Sequence, residues 1–292
     1  MAYDGWLCAF GFIFAEMRFL FSFLFCLTAA LTMAGGGNET GGGAAAGLNG
    51  AAATTTNVWS TTNNIAALGL QDRFAVGVAF ESRFLIPEAG LKTFAMAAPL
   101  GNGTVGLVGH QFGYSSYTDS RLGMGYAMKL SKQISLGAQV NYLRVQLGDV
   151  YGSRSTLAAE VGLLIMPTEK IKLAALVYNP TRAKLADFDD ERVPSTLTLA
   201  GQYLFSEKVN ASMQVEKSID LPLNIITAIE YMPAENFAIR TGYATAQGSL
   251  SFGLGYSWKD LNFDVGAKWH QTLGFSTAGS LSYEFGKRKK KE

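Results

Sequence analysis

After its first 34 residues the chain contains no cysteine; the two it has are Cys8 and Cys26. A mature chain starting near Gly35 therefore has no thiol for a disulfide, a cysteine nucleophile or a zinc-thiolate site. Charge is also scarce. Asp, Glu, Lys and Arg make up 16% of the residues against the usual ~25%, and mean hydropathy is +0.14, which excludes disorder as the main state. Between Gly35 and Gly286 acids slightly outnumber bases, so the body has no basic field of the kind that binds nucleic acid. The only histidines are His110 and His270. A His-rich metal site is thereby excluded, and a Ser-His hydrolase would depend on one of the two. Both are expected at strand ends facing water. Beyond Ala34 no charge-free apolar run approaches the ~18 residues of a spanning helix, so any crossing of a membrane is made by strands.

What is present begins with an export signal. From Met17 the chain carries one arginine, Arg18, then an apolar stretch from Phe19 to Leu27, then small residues with cleavage positions after Ala30 or Ala34. That is the layout of a secretory signal peptide, assigned here to residues 1–34. Asp4 and Glu16 suit a positive leader badly, which makes Met17 the alternative start. The competing reading is a retained anchor helix.

From Phe74 onward, stretches of about ten residues alternate apolar with small or polar, the pattern of strands whose two faces meet different solvents. Leu250, Phe252, Leu254 and Tyr256 alternate with serine and glycine, and Leu261, Phe263, Val265, Ala267 and Trp269 alternate with Asn262, Asp264, Gly266, Lys268 and His270. Strands are expected at 73–82, 91–98, 103–114, 120–130, 133–146, 155–166, 170–178, 195–205, 208–217, 223–232, 236–245, 248–258, 260–271 and 275–286. The count of fourteen is even, as single-chain bacterial barrels require, and leaves room for the 9–11 residues of a crossing plus a turn. All seven prolines fall in joins or at strand ends, where a missing N–H breaks no ladder. Alternate joins are short, while those between them are more varied and often longer, up to Asn179–Pro194. Tyr203, Tyr231, Tyr256, Tyr283 and Phe285 end strands running one way, and Tyr142, Tyr178, Tyr243 and Trp269 end those running the other, giving two aromatic girdles. The soluble alternative is a large sandwich or lipocalin-like barrel, disfavoured because soluble strands average about 5–6 residues.

Glu81, Lys129, Glu160, Glu216, Glu230, Arg240, Asp264 and Lys268 fall on the non-lipid register. Charges there face water, each other or a plug, because a lipid-facing Arg or Lys near the midplane costs about 2–4 kcal/mol. They are read as lumenal pairs that hold barrel and plug rigid, with a selectivity lining as the alternative. The acidic run from Asp187 to Glu191 is read as a solvated loop and not a calcium site. Glycine pairs such as Gly101-x-Gly103 belong to turns and strands, since no helix follows to make a phosphate loop. No catalytic residue, cofactor or metal is assigned. Residues 287–292 form a basic tail.

Residues 47–68 resemble the N-terminal signature of the FadL/PorV-like outer-membrane barrels. In that signature a small-residue stretch leads to an Asn-Pro-Ala-Gly-Leu element, which here reads Asn64-Ile65-Ala66-Ala67-Leu68. Phe80–Glu88 and Phe112–Tyr117 also look like the PorV-type proteins and their relatives. The resemblance implies an all-β, 14-stranded antiparallel transmembrane barrel over residues 73–286, in the bacterial outer membrane. It implies that residues 35–72 are a lumenal plug with Asn63, Asn64, Ala66 and Leu68 as its motif. It also implies two jobs, transport of hydrophobic small molecules or service to protein secretion, as in the type IX system. The partners would be outer-membrane lipid with either a hydrophobic ligand or a secretion-complex protein. From other classes come a passive porin for polar solutes and an outer-membrane hydrolase.

Overall fold

The computed structural model describes residues 41–148, 152–185, 192–219 and 221–286. The leader, the acidic run and the basic tail lie outside the described residues. Fourteen strands follow a mostly irregular N-terminal segment: β1 Phe74–Ser82, β2 Gly90–Leu100, β3 Gly103–Tyr114, β4 Tyr117–Lys129, β5 Ile134–Leu147, β6 Ser153–Thr168 and β7 Ile171–Tyr178 come first. The second half adds β8 Thr196–Ser206, β9 Val209–Ser218, β10 Asn224–Ala234, β11 Phe237–Ala244, β12 Ser249–Trp258, β13 Leu261–His270 and β14 Gly274–Phe285. Each strand is antiparallel to its neighbours in sequence. β14 returns to β1 with Phe74 opposite Phe285, and the ring closes. Closure removes the unpaired N–H and C=O groups of an edge, which hydrocarbon cannot satisfy.

The alternation in the sequence is the alternation of the wall. Phe252, Leu254 and Tyr256 face outward and are exposed, while Ser251, Gly253 and Gly255 between them are buried. The outer surface can be followed rung by rung across β1–β6, where Val78, Phe94, Gly109, Leu122, Tyr142 and Leu157 are successive cross-strand partners. Two residues further along each strand the rung reads Phe80, Lys92, Gln111, Ser120, Arg144 and Ser155. Apolar surface thus gives way to polar surface within about 7 Å of strand.

Both ends of the barrel and the tightest turns lie on one side, the periplasmic side by the usual asymmetry. Gly101 and Lys259 adopt positive φ there, 60° and 58°, as two-residue hairpin turns require. The ladders of β6, β8 and β10 slip register just before their turns. Pro167 and Pro233 sit at two of these irregular ends, where no ladder bond is lost. The outer joins are less extended than the sequence implied, since β3 turns into β4 through Ser115 and Ser116 alone and residues 179–195 form the one long join. The outer rim is also uneven: β5 and β6 stay paired up to Gln146 and Ser153, whereas β7 meets β6 only from Glu160 inward.

The aromatic girdles are present with one correction. Tyr203, Tyr231, Tyr256, Tyr283, Phe285, Tyr142, Tyr243 and Trp269 are exposed on the outer face. Tyr178 is fully buried, because its even position on β7 is an inward one.

Candidate functional site

The interior of the barrel is occupied by the chain's own N-terminal segment. Glycine and alanine dominate its first half, and the packing shows why. The short helix α1 (Gly43–Gly47) lies against β12 and β13 with backbone on backbone. A Cβ added at Gly253 would stand 2.7 Å from Gly47 Cα, and one at Gly266 would stand 2.6 Å from Gly47 N. Farther along, one turn of helix α2 (Ser60–Asn63) precedes a 3₁₀ turn at Ile65–Leu70. That turn is received by Gly106, Gly125, Gly137 and Gly162 on four adjacent strands, β3–β6. Trp59 is buried against Gly77 on β1.

Such a segment leaves many peptide groups without helix or sheet partners, and the wall supplies them. Ser251 Oγ donates to Gly47 O at 2.8 Å, Gln214 Nε2 to Gly50 O at 3.1 Å, Gln139 Nε2 to Thr61 O at 3.2 Å and Ser135 Oγ to Ala66 O at 2.7 Å. Gly43 N donates to Ser280 Oγ at 2.9 Å. The motif residues serve the same end. Asn64 caps the 3₁₀ turn by accepting from Ala66 N at 3.1 Å and donates from Nδ2 to Ala53 O at 2.9 Å. Asn63 holds Gly41 through both its N–H and its carbonyl. Ala66 and Leu68 are wholly buried.

All eight sequence-expected charges lie on the inward register, but they do not form one lining. Glu230, Arg240 and Asp264 come together on β10, β11 and β13, with Arg240 Nε 2.5 Å from Glu230 and Nη1 2.6 Å from Asp264. Asn210 adds a bond to Glu230 at 2.9 Å, and Gly255 leaves the space that the guanidinium fills. Glu160 pairs with Arg121 at 3.2 Å, both almost inaccessible. Glu216 is tied by Gln214 and Asn224, Glu81 faces Arg83 at 3.7 Å, and Lys268 stands half-buried on β13. Lys129 ends β4 at the periplasmic rim and is exposed, outside the lumen proper.

Sequence reasoning missed Arg121, whose Nε donates to Asn141 Oδ1 at 2.9 Å and whose guanidinium lies 5.2 Å from the Tyr178 ring. Its signal was available, since Arg121 has the same inward parity on β4 as Lys129. It missed Arg73 as well, which joins the end of the N-terminal segment to Asp260 at 2.6 Å and to Glu284. His110 corrects another expectation: it is buried, with Nδ1 3.0 Å from Thr93 Oγ1. His270 Nδ1 accepts N–H bonds from Thr272 and Leu273 at its turn. The hydrogen bonds among the described residues give neither imidazole a serine partner, and no cluster of metal-ligating side chains forms among them.

Strand β5 orders the lumen along the barrel. Its inward residues run from Ser135 and Gly137, against the N-terminal segment, through Gln139 and Asn141 in a polar layer with Arg121 and Glu160, to Leu143 and Val145 at the outer end. There Leu143 and Val145 pack with Ala158, Tyr178, and Leu185 and Val193 of the long outer join. Along this sector of the wall the axial sequence is therefore buried N-terminal segment, paired polar layer, apolar outer end.

Solved structures that share this architecture include transport proteins. The chain superposes on the Ralstonia pickettii toluene transporter TbuX with a TM-score of 0.64, over 86% of this chain and 100% of that one at 14% identity. The CymD monoaromatic hydrocarbon channel gives 0.66, over 85% and 98% at 11% identity. This chain has the FadL-type fold. A Pseudomonas aeruginosa FadL homologue gives 0.58, over 87% and 100% at 15% identity. At these identities the likeness concerns architecture, and it bears on the FadL side of the sequence resemblance. No protein-family model and no curated protein matches the sequence. The closed ladder and the many apolar side chains on the outer face of this FadL-type barrel place it in the bacterial outer membrane.

Proposed function

We propose that this barrel passes small hydrophobic molecules across the outer membrane, with residues 41–72 as its lumenal plug. The observation that carries the reading is the axial order along β5, an apolar outer end, then a paired polar layer, then the buried N-terminal segment toward the periplasmic end. An apolar outer end favours a solute leaving water by about 25 cal/mol for each Å² it buries, and a chain segment lodged in the lumen works against a wide water path for ions. In the polar layer below, Arg121 is paired with Glu160, so a neutral solute meets little net charge. The neighbours named for toluene and monoaromatic hydrocarbons support the same class of cargo.

The test compares cells whose outer membrane displays the barrel with cells that do not. Toluene entry is expected to rise with the barrel, and planar bilayers containing it are expected to show no steady ion conductance. Large, steady openings without faster toluene entry would establish a porin instead. Unchanged toluene entry together with co-isolation of secretion-complex proteins would move the reading to secretion.

A further inference from the structure

Charge on the outer face of the barrel is restricted in sign and in position. Following the inward–outward alternation along the fourteen strands, the charged residues at outward positions are Lys92 on β2, Arg144 on β5 and Lys217 on β9. All are cations and all lie near the outer ends of their strands; no carboxylate faces outward from any strand. Lys217 is engaged locally, its Nζ donating to Leu221 O at 2.6 Å. Lys92 and Arg144 share one rung, where Gln111 and Ser120 lie between them and Ser155 follows. The rung toward the outer rim continues in neutral donors, Thr118, Gln146 and Ser153. The rung below is the apolar one that carries Phe94, Leu122, Tyr142 and Leu157.

This order of surfaces matches one kind of lipid. Hydrocarbon chains fit the apolar rung, phosphates fit two cations with no carboxylate among the outward strand positions, and sugar hydroxyls fit the amide and hydroxyl side chains between them. Strands about 4.8 Å apart place Lys92 and Arg144, three strands distant, roughly 14 Å from each other, comparable to the length of a disaccharide. A plain anionic phospholipid would use the cations and leave the intervening donors without a role. We propose that the outer face of β2–β6 is a docking surface for a phosphorylated glycolipid of the outer leaflet, with Lys92 and Arg144 on its phosphates. The inference rests on outer-membrane placement and not on what the lumen carries.

The experiment uses the full barrel purified in non-ionic detergent and three lipids: bis-phosphorylated lipid A, its dephosphorylated form and phosphatidylglycerol. Native mass spectrometry reads how much of each stays bound. Bis-phosphorylated lipid A is expected to be retained about tenfold better than the others, and the Lys92→Ala/Arg144→Ala double variant to lose that margin. Lys217→Ala is expected to keep it. Heat-dependent gel migration shows in parallel that each variant remains a closed barrel, so loss of the fold is distinguished from loss of the lipid. Equal retention by wild type and double variant would overturn the proposal. So would phosphatidylglycerol held as firmly as lipid A, or an equal loss in Lys217→Ala.

Discussion

Arg121 and Glu160 are 5% and 0% exposed, so neither can be relieved by water if the other is removed. Arg121→Ala is expected to destabilise the folded barrel by about 3–5 kcal/mol, because it strands a buried carboxylate. Adding Glu160→Gln to that variant removes the stranded charge and is expected to recover most of the loss. The shift of the urea midpoint in detergent, read by tryptophan fluorescence, checks both; an equal loss in the single and double variants would show that the pair is not coupled. Glycines make a second contrast at this scale. Gly253→Leu must push Gly47 away, whereas Gly279 has nothing within 4 Å of its added Cβ, so Gly279→Leu is expected to leave the plug in place. A cysteine placed at Ala46 reports the difference: it should react with a water-soluble maleimide far faster in the Gly253→Leu background.

Strand β13 carries the register test at the scale of an element. Val265 faces outward near the middle of the strand and Ala267 one rung nearer the outer end, while Lys268 faces inward. Val265→Arg should cost about 2–4 kcal/mol in bilayers, Ala267→Arg less, and Lys268→Ala least. Folding yield in lipid vesicles measures the order, and a reversed order would mean that the strand is slipped by one residue, which turns every side chain over. Strand existence, number and facing were legible because a wall between lipid and a crowded lumen imposes period two on every crossing. β4 begins at Tyr117, earlier than the expected 120, since Tyr117 and Thr118 stay paired with β5 above the apolar band where hydrophobic alternation stops. The inward parity of the eight charges was legible for the same reason. Their partners were not, because pairing depends on which inward residues meet across non-neighbouring strands, as with Arg121 on β4 and Glu160 on β6. The burial of His110 and Tyr178 was hidden likewise, since what covers an inward side chain is decided by its neighbours, Thr93 of β2 at His110 and the long outer join at Tyr178, not by its own strand.

For the whole molecule, the closed ladder predicts heat-modifiable migration: the unboiled sample should run as a compact species and the boiled one as an extended chain, with identical mobilities counting against closure. Deleting residues 41–72 should leave that behaviour intact and add steady ion conductance in planar bilayers, because the inner wall exposed is lined by serine, glutamine and paired charges. Closure also sets an order of events. The seam joins Phe74 to Phe285, the start of the first strand to the end of the last, and the plug is continuous with the first strand through Arg73. The segment that ends innermost must therefore lie within the open sheet before β14 closes on β1. The same segment supplied to a finished ring as a separate peptide would have to thread in through an end of the barrel.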